Sequence, residues 1–550
     1  MTAISEGLPG GGMGLLDRER IVAKPGFNRW LVPPAALAIH LCIGMAYGFS
    51  VFWLPLTNAL PVEATDACKS MGLMTALFTT DCNWRIADLG WIYTLFFVFL
   101  GCSAAIWGGW LERVGPRKAG FVSALCWTGG IALAAVGVIT HQLWLMWLGA
   151  GVIGGIGLGL GYISPVSTLI KWFPDRRGMA TGMAIMGFGG GAMVGSPLAQ
   201  KLMEHFRGDG SIGVWETFLT MAAIYLVFMM GGAFGYRIPP AGWQPEGWTP
   251  PAKTKKAMIT EHHVHLRDAH KTTAFWMIWI VLCMNVSAGI GILGAASPML
   301  QEIFAGNLIG MPGVAFADLS PEQKLQIASI AAGFTSLLSL FNIIGRFFWA
   351  SMSDKLGRKN TYYVFFLLGI VLYASAPTFA YSGNQLLFVA AFCIILSMYG
   401  GGFATVPAYL ADIFGTQFVG AIHGRLLTAW ATAGILGPVV VNYIRQYQVD
   451  RGLSGADAYA ATIYVLCGML VIGLIANAFV RPLADKWFMK PEEVAALQAK
   501  SASAEAKIVH GSFGIDKGRF DAAALLAWAV VGLPVLWGAW FTLVKTAALF

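Results

Sequence analysis

One arginine set among apolar residues carries the strongest chemical signal in the chain. Arg346 stands in the run FNIIGRFFWASMSD, eight positions before Asp354. If that run is a helix crossing a membrane, a rise of about 1.5 Å per residue puts Arg346 ~12 Å deeper than the acid. A guanidinium at that depth costs about 2.5 to 3.5 kcal/mol on insertion scales and by default faces the inside of a helix bundle for a functional reason. Its planar fork suits a carboxylate, which accepts two parallel hydrogen bonds from it. Asn342 lies four residues earlier, on the same helical face, where it can donate a further hydrogen bond. The competing reading is an arginine that snorkels to headgroups or joins a latch of loop charges.

The segments that must position these groups are apolar throughout. Hydrophobic residues make up 57% of the 550 and charged residues 12%, which excludes an ordinary solvated surface. Runs long enough to cross a bilayer, about 20 residues each, fall near 31–57, 87–110, 119–140, 143–170, 179–203 and 214–236. Six more follow near 275–300, 326–350, 361–381, 386–411, 421–444 and 458–480, and a last one lies at 522–549. All should be helices, because lipid-exposed backbone must satisfy its hydrogen bonds within its own segment. The expected fold class is an all-α membrane protein. Its expected organisation is an N-terminal segment (1–30), a six-helix bundle (31–236), a central loop (237–274), a second six-helix bundle (275–480), a tail (481–521) and an additional span (522–549).

The two halves repeat. GGWLERVGPRKAG at 108–120 returns in altered form as WASMSDKLGRKN at 349–360, and Gly115 and Gly357 differ by 242. The same offset takes Glu112 to Asp354, Gly159 to Gly401, Pro165 to Pro407, Gly178 to Gly420 and Gly182 to Gly424. Duplicated apolar halves are common in secondary transporters, whose site lies at the repeat interface. Gly115 and Gly357 permit a tight turn between antiparallel helices. The charges around them (Glu112, Arg113 and Arg117 in the first loop, Asp354, Lys355 and Arg358 in the second) read as a cytoplasmic gate, or as charges that only set topology.

The net charge of +8 is spread over alternate connections, the central loop and the tail. That is the positive-inside pattern of a multi-pass protein with a cytoplasmic N-terminus, not a nucleic-acid face. Residues 1–27 lack the apolar core and cleavage site of a signal peptide. Six of eight cysteines fall in apolar runs; Cys68 and Cys82 share the first outside loop, where they can pair or remain two ordinary loop thiols. His262, His263, His265 and His270 have no cysteine partner and no zinc-scaffold spacing, so they read as part of a solvated loop. No metal, cofactor or enzyme site is expected. The glycine runs GGIGLGLG and GFGGGAMVG let membrane helices approach closely.

The paired GxxxERxGPRK and SDKLGRK loops resemble those of the major facilitator superfamily. GMAYGFSVFWLPL, GLGYISPVSTLIKWFPDRRGMATG, GWQPEGW, FNIIGRFFWASMSD and LTAWATAGILGP resemble its oxalate/formate antiporter family and the related monocarboxylate transporters. The resemblance implies a carboxylate-binding arginine at the position of Arg346 and a cavity lined by Tyr47, Tyr162, Tyr399 and Trp430, with His40 and Asn285 as weaker contributors. It also implies a lysine where this chain has Trp430, so a monocarboxylate fits better than a dicarboxylate. His423 and Arg425 restore a second charge only if they reach inward.

The spans carry no central acid, since Asp88, Glu216 and Asp412 sit near their ends. A carrier with its own proton relay usually needs one. Two mechanisms remain: exchange of one anion for another, or a proton that travels with the substrate or through His40. The expectation is therefore a monomeric secondary active transporter in the bacterial inner membrane. It would carry a small organic anion, monocarboxylate or oxalate/formate-like, by alternating access. The alternatives are a transporter-like membrane sensor and a carrier of a neutral solute or drug.

Overall fold

The computed structural model describes residues 14–60, 68, 71–208, 211–240, 243–246, 248, 258–506 and 521–546. Among them, twelve helices are long and apolar enough to cross a membrane. The N-terminal bundle consists of α1 (Val32–Ile43), α2 (Ile86–Val114), α3 (Pro116–Ile139), α4 (Leu143–Trp172), α5 (Arg177–Phe206) and α6 (Val214–Gly235). The C-terminal bundle consists of α7 (Thr273–Phe304), α8 (Pro321–Leu356), α9 (Arg358–Tyr381), α10 (Gln385–Phe414), α11 (Thr428–Asp450) and α12 (Ala456–Phe479). The helix that bears Arg346, α8, is a further long one, of 36 residues. Beyond these lies α13 (Ala522–Thr546).

The repeated loops turn on glycines. Gly115 and Gly357 have φ of 84° and 83°, a region that L side chains avoid, so α2 runs into α3 and α8 into α9 with one residue between them. Helix α1 departs from the continuous helix that its apolar run suggests: at Gly44 it passes into a 3-10 segment, Gly44–Phe52. Glycines meet there, since a Cβ on Gly191 of α5 would lie 2.5 Å from Gly44 Cα. That approach sets Tyr47 of the 3-10 segment against Phe188 of α5, ring centroids 4.9 Å apart.

The bundles meet along two seams, α5 against α8 and α10, and α2 against α11. A short helix, Val419–Leu426, leads into α11 and packs on α2 and α4. Helix α13 lies outside both bundles, against α1, α5 and α8, with Trp528 Nε1 donating to Trp30 O at 3.1 Å. Much of its surface is open, Trp540 being 69% exposed, as suits a lipid-facing helix. A surface helix, Pro491–Ala506, forms part of the tail. The central loop crosses the end of the C-terminal bundle, where Val264 N donates to Phe414 O at 2.9 Å. Its histidines go to separate neighbours: His262 to the Phe488 ring, His265 to the cap of Leu266–Ala269, and His270 to Arg425. Cys68 and Cys82 are joined by a disulfide.

Candidate anion-binding site between the two bundles

Arg346 is fully buried where α5, α8 and α10 converge. Two glycines make room for it. A Cβ on Gly189 of α5 would lie 3.1 Å from its Nε, and one on Gly400 of α10 would lie 3.1 Å from its Cγ. Nε donates to Asn342 Oδ1 at 2.7 Å, and Nη1 donates across the seam to Ile185 O at 3.1 Å. Nη2 is buried and has no hydrogen-bond partner among the described residues. Three acids of the two bundles are engaged with other cations: Glu112 pairs with Lys171 at 2.8 Å, and Asp354 and Asp412 both pair with Arg358. Among the described residues the site therefore holds a cation with donor capacity left over and no ion-paired carboxylate, an arrangement that is costly unless something balances it.

Aromatic rings close the space around the guanidinium. Its Cζ lies 5.8 Å from the centroid of Phe188 and 5.5 Å from that of Phe403, within cation–π range. Trp430 stands behind both, 4.3 Å from Phe403 and 5.3 Å from Phe188. Tyr162 packs edge-on to Trp430 at 5.1 Å. The hydroxyls of Tyr47 and Tyr399 meet at 2.9 Å, a hydrogen bond between the bundles. The Tyr162 hydroxyl and Trp430 Nε1 are buried without partners among the described residues. Tyr162, Tyr399, Trp430 and Arg346 are all 1% exposed or less, so the conformation is occluded.

Phe188 and Phe403 were not singled out in the sequence. A signal existed for the first, because the offset of 242 that relates the halves carries Phe188 onto Trp430. The same offset carries Ala104 onto Arg346, so the cation is one of the places where the halves differ.

The contacts of the other expected residues are as follows. Asn342 spends its carbonyl oxygen on Arg346 and so aims the guanidinium. His40 is fully buried, with Nδ1 at Ala184 O and Nε2 3.3 Å from Tyr162 O, tying α1 to α5 and α4. Asn285 lies on the far side of Tyr399, lining a small cavity inside the C-terminal bundle with Tyr373 and Phe365.

The loop charges divide as well. Asp354 reaches the other bundle: Oδ1 accepts from Gly178 N at 3.0 Å and Oδ2 from Met179 N at 3.2 Å, at the N-terminus of α5, where a negative charge is favoured. Glu112 stays within its own bundle, accepting from Ser167 Oγ at 3.1 Å as well as pairing with Lys171. Arg117 does not cross either; it donates to Leu15 O at 3.0 Å and Phe234 O at 3.1 Å, because its position one residue into α3 points it at the end of α6. Arg113 and Lys355 are exposed. His423 does turn inward, fully buried, whereas Arg425 turns out to Leu266 O and His270.

Comparison with known proteins agrees with this architecture. The sequence profile of the Major Facilitator Superfamily matches residues 69–438. The oxalate:formate antiporter of Oxalobacter formigenes is 25% identical over 412 residues, 74% of this chain and 83% of that protein. Monocarboxylate transporter 3 of Rattus norvegicus is 23% identical over 444 residues, 79% of each chain. Among solved structures, the proton:xylose symporter XylE superposes with a TM-score of 0.56 at 14% identity, covering 85% of this chain and 98% of that one.

Proposed function

The chain belongs to the Major Facilitator Superfamily, and from that premise we propose that it is a secondary active transporter of a small organic anion, a monocarboxylate above all. The observation that carries this reading is the Nη2 of a fully buried Arg346, which has no hydrogen-bond partner among the described residues. A carboxylate docked there accepts from Nη2 and from the second hydrogen of Nη1, the bidentate geometry that a guanidinium favours. One bound negative charge then cancels the one positive charge, which lowers the cost of an occluded state. A neutral solute would leave that charge unbalanced.

The names of two relatives, an oxalate:formate antiporter and a monocarboxylate transporter, support the same substrate class. Trp430 puts an indole rather than a cation on α11, which favours one carboxylate over two. Transport proceeds by rocking of the bundles about this site. Asp354 at the α5 N-terminus and the Tyr47–Tyr399 hydrogen bond are contacts that one swing or the other must break. The end bearing the basic loops faces the cytoplasm by the positive-inside rule, and the membrane is the bacterial inner membrane. Coupling is by anion exchange or by a proton moving with the substrate.

The test is a thermal-shift screen of the purified protein against small mono- and dicarboxylates, followed by flux of radiolabelled hits into proteoliposomes. Stabilisation by monocarboxylates together with flux supports the proposal. Stabilisation by neutral sugars and by no acid sinks it, and binding without flux points instead to a sensor.

A further inference from the structure

Helix α13 lies outside the repeated halves, yet it is seated on both of them. It packs on α1 and α5 of the N-terminal bundle and on α8 of the C-terminal bundle. One narrow stripe of it is turned inward: Ala524, Trp528, Val531, Gly538 and Thr542 recur at steps of three, four or seven residues, the spacing of a seam between helices. Ala524, Val531 and Thr542 are buried, whereas Leu525, Leu533 and Leu536 on the rest of its surface are exposed. A helix held by lipid alone has no reason to bury such a stripe.

The contacts run along α5 in order. Trp528 Nε1 donates to Trp30 O at 3.1 Å, and Val531 clusters with Leu37 and Ala38 of α1 and with Met186 of α5. Further on, a Cβ on Gly538 would lie 3.0 Å from Met193 O, so a small residue brings the two backbones together. Near the far end the Lys201 ammonium lies 5.4 Å from the Trp537 ring. This track passes directly behind the anion site. Ile185, next to Met186, accepts from Arg346 Nη1, and Gly189, one turn on, faces Arg346 Nε.

In front of that track α5 and α8 are in close contact, since a Cβ on Gly182 would lie 2.9 Å from Arg346 O. The bonds from Gly178 N and Met179 N to Asp354 hold the ends that bear the basic loops together. Rocking that opens this end draws α5 away from α8. A helix seated on both cannot keep both sets of contacts.

We infer that α13 is a strap across the α5–α8 seam, which holds the end bearing the repeated loops closed and limits how readily the bundles part. It acts on motion, and substrate choice stays with the site between the bundles. This rests on the reading of the chain as a carrier whose bundles rock.

The experiment measures the distance between spin labels at Arg113→Cys and Lys355→Cys, exposed positions in the two repeated loops. It uses the full-length protein in lipid, with the six free cysteines replaced by alanine. No substrate is added, so the result is separate from a failure of the carboxylate reading, which the ligand screen and flux detect. Trp528→Phe removes the hydrogen bond to Trp30 O, and Gly538→Leu forces α13 off the Met193 backbone. Both should raise the ratio of long to short distances, about 2- to 10-fold for the one hydrogen bond lost in Trp528→Phe. Leu536→Ala, on the exposed face, should leave the ratio at the wild-type value. An unchanged ratio in Trp528→Phe and Gly538→Leu overturns the inference, whatever happens to the melting temperature, because α13 would then be a packing element only. An equal rise in Leu536→Ala overturns it too, since the effect would not come from the inward stripe. If Gly538→Leu does not fold, Trp528→Phe decides alone.

Discussion

Replacing Arg346 with lysine keeps the charge and removes the fork, so the substitution separates electrostatics from geometry. In the structure the guanidinium spends Nε on Asn342 Oδ1 and Nη1 on Ile185 O, and still presents Nη2. A lysine ammonium has three donors at one point; if it satisfies the same two oxygens it has one hydrogen left for the substrate. The carboxylate therefore loses one of two charge-assisted hydrogen bonds, each worth about 1.5 to 3 kcal/mol. At about 1.4 kcal/mol per factor of ten, that is roughly 10- to 150-fold in affinity. Arg346→Gln, which also removes the charge, should bind more weakly still. The assay pairs the dissociation constant of a monocarboxylate with its exchange flux in proteoliposomes, at equal reconstituted protein. A lysine variant with wild-type affinity and flux would refute the reasoning, because Arg346 would then be supplying charge alone or nothing.

Three further outcomes are expected. Trp430→Lys places a second cation among Phe188, Phe403 and Tyr162 and should shift the ratio of dicarboxylate to monocarboxylate affinity upward, about tenfold for one added charge-assisted hydrogen bond; an unchanged ratio would show that α11 does not line the pocket. Thiol titration of the unfolded, unreduced protein should count the six free cysteines, rising by two after reduction of Cys68–Cys82, and a count of eight before reduction would contradict the disulfide. His141, outside the spanning helices, stacks on Trp84 at 4.0 Å and its Nε2 donates to Cys82 O at 2.9 Å. Burial holds its pKa below the ordinary 6.5, against the opposing pull of the Cys82 carbonyl and Asp81. The unfolded chain therefore takes up this proton first as pH falls through about 6.5, and stability present above that pH is lost down to the folded pKa. The melting temperature should drop on acidification, and less so in His141→Gln; identical pH profiles would argue against this linkage.

Much of the architecture was legible because membrane insertion imposes local rules. A run of about 20 apolar residues must be a helix whatever its neighbours are, and the offset between Gly115 and Gly357 exposes the duplication without any contact being known. Arg346 stood out for the same reason, since a buried charge in lipid is costly enough to be visible one residue at a time. The 3-10 segment at Gly44–Phe52 was not legible, because it depends on how closely α5 approaches. Loop charges were legible as charges but not as pairs, and Arg117 turned to its own bundle while Asp354 crossed to the other.

What the sequence determined alone was the membrane fold, the twofold repeat and the one deep cation. Those follow from hydropathy, spacing and the cost of a charge in lipid, which act along the chain. Only the tertiary structure decided that Phe188 and Phe403 flank that cation, that Asn342 aims it, and that His423 turns inward with neither nitrogen paired among the described residues. Aromatic and polar side chains look alike in sequence whether they face lipid, a neighbour or a cavity, and the packing of one bundle against the other makes that choice.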